Sequence, residues 1–236
     1  MTQEEVSEVI MGQAKFPGRK REETEVRNHY VALTKVEIIS QTARVLTEKH
    51  IQTLHSIVEA GKRRVSKYRD GQNVIRDSIT RDIAYMPPES KDVPVLMRDM
   101  VEWINQSIDE GELLIPIIAA LAHYQFVTIH PYSDGNGRTG RLLTTLVLHM
   151  NGYGLKGIYA LEEYYAVNLP AYYNALSVGE SHNYYLGRAQ ADVTDFVDYF
   201  CVGMAESFRR VRKKAEEGKN GEAVDQSQLL RMLNTS

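Results

Sequence analysis

The chain has 236 residues, of which 43% are hydrophobic and 25% charged. That balance belongs to a folded, water-soluble body and argues against wholesale disorder, a collagen-like chain or a bundle of membrane spans. Lys and Arg number 28 against 31 Asp and Glu, a net charge of −3, so no basic surplus points to a nucleic-acid partner or an anionic membrane. The lone cysteine, Cys201, has no partner within the chain, which leaves no internal disulfide and suits a reducing, cytoplasmic compartment. Residues 113–122, the longest near-continuous apolar stretch, are interrupted by Pro116 and reach about half the ~20 residues that a spanning helix needs. The acidic start, residues 1–5, lacks the basic and then apolar pattern of a signal peptide.

In chain order, Val26, Tyr30, Leu33 and Val36 recur at helical spacing, and Ile51, Leu54, Ile57 and Val58 do so after Thr47, a candidate N-cap. The period changes over residues 68–78 and 81–85, where Asp70-Gly71 and short β-branched stretches precede Pro87-Pro88; this predicts a small hairpin or flap on a helical body. A third amphipathic helix starts at Asp92, with Pro94 in its first turn and Leu96, Met97, Met100, Val101 and Ile104 along its apolar face. Residues 113–129 are apolar on nearly all sides, which predicts a central helix buried by its neighbours, and residues 142–150 repeat that character. Residues 170–176 and 194–211 are further helices. From Arg212 to Gly221 the chain is charged and glycine-punctuated, an exposed helix end running into a linker, and residues 228–233 open another apolar pattern that ends at Ser236. The expected fold is mainly α with a small β-hairpin flap.

Residues 130–141, His-Pro-Tyr-Ser-Asp-Gly-Asn-Gly-Arg-Thr-Gly-Arg, carry the densest chemistry. Gly135, Gly137 and Gly140 let the backbone turn tightly and direct successive N–H groups into one concavity, and a helix beginning near Arg138 adds its positive end, a ready anion site. Arg138 and Arg141, three apart, present two guanidinium forks on one side of a first helical turn, which suits a di- or triphosphate. Asp134 supplies the single hard carboxylate that Mg²⁺ needs when it shares phosphate oxygens and water. His130 is the natural general base, able to take a proton from an incoming hydroxyl near neutral pH. Asn136-Gly137 is also a strong hairpin signal, but the flanks here are helical.

The segment resembles the signature of the Fic family, His-x-Phe-x-(Asp/Glu)-Gly-Asn-Gly-Arg-x-x-Arg, with Tyr132 in place of the phenylalanine and an aromatic plug retained. Residues 119–130 resemble that family's helix before the loop, and Tyr172-Tyr173-x-x-Leu176 its nucleotide-pocket stretch, so the likeness covers residues 26–208 or so. The resemblance implies a helical Fic-type domain over residues 25–211, with an N-terminal inhibitory-type helix and linker over 1–24 and a charged linker leading to a further segment over 212–236. It implies transfer of AMP from ATP to a Ser, Thr or Tyr hydroxyl of a protein, the chain itself included, with Mg²⁺ and release of pyrophosphate. His130 would take the hydroxyl proton and Asp134 hold the metal; Asn136 and the amides of Gly135 and Gly137 would hold the inner phosphates, Arg138 and Arg141 the outer ones. Tyr173 would contact adenine, and the flap (Gln72, Asn73, Val74, Ile83, Ala84, Tyr85) would align the target by backbone pairing. AMP removal, transfer of another nucleotide or phosphate moiety in the same pocket, and a non-catalytic nucleotide-binding module stand as alternatives. Such helical domains often pair, so a homodimer is a further expectation.

Some members carry an inhibitory helix with the pattern (Ser/Thr)-x-x-x-Glu-(Gly/Asn), whose glutamate pairs with the second motif arginine. Ser7, Ile10 and Gly12 fit that register, with Met11 where the glutamate is expected. A methionine cannot accept a guanidinium, so the resemblance implies a relieved, transfer-competent form. His123, His29, His50, His55, His149 and His182 are assigned no chemistry, and Cys201 is read as a core residue.

Overall fold

The computed structural model describes residues 5, 8–9, 16–59, 67–76, 80–154, 164–165 and 169–218. Ser7, Met11 and Gly12 lie outside the described residues, as does everything after 218.

Among the described residues the α-helices are α1 (Lys20–Thr42), α2 (Glu48–Val58), α3 (Val93–Glu110), α4 (Ile115–Ile129), α5 (Asn136–Met150), α6 (Leu169–Leu176) and α7 (Thr194–Gly218). Strands β1 (Ile75–Arg76) and β2 (Ile83–Tyr85) form the only sheet among them, antiparallel with Ile75 opposite Tyr85. The expected mainly α body with a small flap is what forms. No described helix is long and apolar enough to cross a membrane.

Local chemistry sets the helix ends. Thr47 caps α2: its hydroxyl accepts from the His50 amide, and the His50 ring nitrogen accepts from the Thr47 amide, a capping box with histidine in the usual Glu position. Pro94 and Pro116 sit in the first turns of α3 and α4, where a missing N–H leaves no bond unmade. Gly111 ends α3 in the left-handed conformation at φ 67°. The charged segment from Arg212 continues α7 as far as Gly218.

The helical hairpin α4–α5 is the centre of the molecule. Its connection is only residues 130–135, so the two helices fold back on each other, with Gly140 against Phe126 and Val127. A Cβ at Gly140 would lie 3.1 Å from Val127 and 3.2 Å from Phe126, so glycine there permits the close approach of the two helices. Phe126, Leu142 and Leu143 are fully buried, each contributing roughly 2 kcal/mol by removal of apolar surface from water. Around this pair pack α1, through Ala32, Leu33, Val36 and Ile39, then α2, α3 and α7. His123, inside α4, is completely buried, as the sequence predicts for a core histidine. Thr144 donates to the Gly140 carbonyl and accepts from His123 Nδ1, while Tyr172 donates to His123 Nε2. The ring is therefore neutral, with burial holding its pKa at about 3, and it pins α6 to the hairpin.

Candidate active site

The hairpin fold delivers the loop 130–135 to one end of the α4–α5 pair, so the residues that end α4 and begin α5 are brought together by construction. His130 is the C-cap of α4, in the left-handed region at φ 52° and ψ 59°. That position normally favours glycine, and a residue before proline is biased further toward extended backbone. Its ring Nδ1 lies 3.3 Å from the Val127 carbonyl, which can only accept, so Nδ1 carries the proton and Nε2 keeps its lone pair. Burial, then the nearby Arg69 guanidinium, pull the His130 pKa down to about 4, against the opposing pull of the Val127 bond and Asp134. At neutral pH the imidazole is an unprotonated base.

Gly135 is the N-cap of α5 at φ 75°, and a Cβ on it would approach Glu59 Oε1 to 3.0 Å and His55 Nε2 to 3.3 Å. It alone of the three motif glycines takes the left-handed turn; Gly137 and Gly140 are helical, so α5 begins at Asn136, two residues before the expected start. The first turn of α5 has the positive end expected of an anion site, and a carboxylate already sits on it, Asp134 Oδ1 accepting from the Gly135 amide at 2.6 Å. Arg141 reaches back toward this turn, its Nη1 3.6 Å from where a Gly137 Cβ would stand.

The Asn136 side chain does something other than the resemblance assigns it. It is 3% exposed, with Oδ1 accepting from the Tyr132 amide at 2.9 Å and Nδ2 donating to the Tyr132 carbonyl at 2.7 Å. Both ends are committed to shaping the loop, and the Gly135 amide donates to Asp134 Oδ1. Tyr132 is the buried aromatic plug, stacked on His55 with ring centroids 3.5 Å apart, and among the described residues its hydroxyl has no partner.

Residues that the sequence leaves without chemistry complete the site. His55 Nε2 donates to the Asp134 carbonyl. On the far side of the turn, Arg138 Nη2 lies 3.4 Å from Glu59 and 3.8 Å from Asp134, and its Nη1 lies 3.9 Å from Glu25. Arg21 lies 4.0 Å from Asp134. Glu25 and Arg21 come from α1 and Glu59 from the end of α2, more than seventy residues before the motif. Only a folded chain shows this adjacency.

The flap stands beside the loop. Gln72 donates to the Pro87 carbonyl, Asn73 to the Tyr132 carbonyl and the Tyr85 hydroxyl to the Thr128 carbonyl. Val74 and Ile83 are exposed. Beyond Ala84, residues 182–184 already cover one edge of β2: Met86 donates to the His182 carbonyl, Tyr184 to that of Met86, and the His182 ring to that of Ala84. Among the described residues, β1 pairs with no strand other than β2. Tyr173, expected near adenine, is 57% exposed beside the buried Tyr172.

Residues 45–148 match the family model described as "Fic/DOC family". The chain contains a Fic/DOC family domain. It is 34% identical over 128 residues to a protein adenylyltransferase Fic of Drosophila grimshawi, across 52% of this chain and 23% of that protein. With the protein adenylyltransferase fic-1 of Caenorhabditis elegans it shares 35% over 113 residues, across 46% of this chain and 19% of that one. The chain thus spans less than a quarter of these curated relatives. A Fic domain containing signaling protein from Bacteroides thetaiotaomicron superposes with a TM-score of 0.76 at 26% identity, covering 96% of this chain and 83% of that one. A Fic family protein from Desulfovibrio desulfuricans gives 0.73 at 25% identity, covering 100% and 70%.

Proposed function

We propose that this Fic domain is a protein adenylyltransferase. The observation that carries the reading is an unprotonated His130, its Nε2 unshared, at the mouth of a glycine-capped helix N-terminus that Arg138 and Arg141 flank; the adenylyltransferase relatives support it. In the reaction, Nε2 takes the proton of a protein hydroxyl as that oxygen bonds to the α-phosphorus of ATP. The bond from the α-phosphorus to the bridging oxygen breaks, and pyrophosphate leaves with the electron pair. The α5 amides and the two guanidiniums bind the phosphates and disperse their charge.

Mg²⁺ fits this donor set. Asp134 is one exposed carboxylate at the α5 N-terminus, a hard oxygen of the kind Mg²⁺ takes when it also shares phosphate and water. Bound there, it would neutralise phosphate charge. The protein substrate would lie along the β1 edge of the flap, its hydroxyl toward His130. Self-modification, pairing of two copies and a cytoplasmic setting belong to the same proposal, as does regulation through position 11.

Incubation of the chain with labelled ATP and Mg²⁺, alone and with cell lysate, followed by intact-mass spectrometry, tests the reading. Addition of one AMP to a protein hydroxyl supports it; loss of AMP, addition of another moiety, or ATP binding without transfer rejects it. Met11→Glu is expected to suppress self-labelling in the same assay, and unchanged labelling would remove position 11 from regulation.

A further inference from the structure

A buried cation outside the cluster of Arg138 and its carboxylates has no part in binding phosphate. Arg69 is 5% exposed, and among the described residues its guanidinium makes no ion pair; its hydrogen bonds go to main-chain oxygen. Nε donates to the His130 carbonyl at 2.9 Å, one Nη to the Gly71 carbonyl at 2.9 Å and the other to the Pro88 carbonyl. Its backbone amide donates to the Pro131 carbonyl at 2.9 Å, and Asn73 completes the series at Tyr132. The carbonyls of His130, Pro131 and Tyr132, three in succession, are therefore held by residues 69–73.

We propose that Arg69 is the positioning residue of His130, fixing its left-handed peptide and thereby the direction of Nε2, and that it couples this setting to the base of the flap. The inference rests on the adenylyl-transfer reading for its consequence in rate, but the geometry stands by itself. His130 precedes Pro131, and the preference of such a residue is extended backbone; holding it at φ 52° requires outside restraint. The restraint is a guanidinium fork whose burial opposes its charge, and a cation placed on carbonyls alone is an expensive way to staple a loop. Asn73 shows that a neutral amide performs the purely structural task two residues further on. What the cation adds is a fixed plane of donors reaching three carbonyls at once.

The test uses the whole chain as wild type, Arg69→Lys and Arg69→Ala. Lysine keeps the charge and loses the planar fork. Arg69→Lys is expected to bind Mg-ATP with a Kd within about threefold of wild type while transfer falls roughly 30- to 100-fold, a loss in kcat with KM for ATP unchanged. The His130 ring resonances in a ¹H–¹³C spectrum should move while those of His149 stay. Millimolar guanidinium should restore about tenfold of the rate to Arg69→Ala. Wild-type kcat per folded molecule in Arg69→Lys, or His130 resonances that coincide with wild type, would overturn the proposal. If wild type itself transfers nothing, the adenylyl-transfer reading has failed, and the resonance comparison still decides Arg69.

Discussion

The two walls of the motif loop are built from different interactions. On the side of residues 69–73, hydrogen bonds of 2.9 Å hold successive carbonyls of His130, Pro131 and Tyr132. On the side of α1 and α2, Arg138 meets carboxylates of Glu25, Glu59 and Asp134 at 3.4 to 3.9 Å, the contact with Glu59 being a long hydrogen bond. Short directional bonds in a buried place define an angle; longer ion pairs in a part-exposed place supply charge and exchange readily for other charges. The difference matches what each half must do: a base has to point one way, whereas a phosphate cradle has to trade its resting partners for a ligand's oxygens.

The sharpest way to break this division is His130→Ala. It is expected to reduce transfer by roughly 10³-fold while the Kd for Mg-ATP, measured by calorimetry, stays within about threefold. A parallel loss of ATP binding would show that the two walls are not separate.

Acid is the next probe, and it acts on the histidine side. His123 and His130 have folded pKa values near 3 and 4 against an unfolded value of about 6.5. Between those limits the unfolded chain binds more protons, so the stability they contribute is whole above pH 6.5 and is lost as pH falls toward 4 and 3. The loss reaches up to about 1.4 kcal/mol per pH unit for each ring. Thermal melts from pH 7.5 to 4.5 should show Tm falling only below 6.5, and His123→Gln should flatten that fall. Transfer by the folded protein should stay level down to about pH 5, the base being already unprotonated.

On the carboxylate wall, Glu59→Gln removes the nearest partner of Arg138 and should tighten Mg-ATP two- to fivefold, an effect of about 0.4 to 1 kcal/mol that shrinks at 0.5 M salt. Weaker binding would mean that Glu59 orients Arg138 for the nucleotide. The smallest effect is expected from Tyr132→Phe, which removes a buried hydroxyl without a described partner and keeps the ring stacked on His55. Stability should rise by about 1 kcal/mol in a denaturant titration; a fall would mean that the hydroxyl is bonded in solution.

Much of this molecule was legible before folding. The periods of 3.6 residues placed α1 to α5 and α7, the change of period placed the flap, and the glycines and basic residues of 130–141 marked the anion site, because these signals depend on neighbours in the chain. The left-handed His130 was not legible, since nothing in His-Pro favours it locally; it exists because residues 69–73 hold it from outside. Nor was the internal commitment of Asn136, whose side chain lies within reach of both Tyr132 backbone groups only once the loop has closed.

By itself the sequence determined the helical body, the hairpin of apolar helices and the chemical repertoire at their junction, because burial pattern and backbone freedom are properties of residue type and spacing. The tertiary structure decided which distant side chains complete that junction: Arg69 behind the base, His55 under the loop, Glu25 and Glu59 across from Arg138. Those partners stand 61 and 79 residues from their contacts in the case of Arg69 and of both His55 and Glu59 respectively. Interactions over such separations leave no period in the sequence, and only the packing of α1, α2 and the flap base around the α4–α5 hairpin brings them into range.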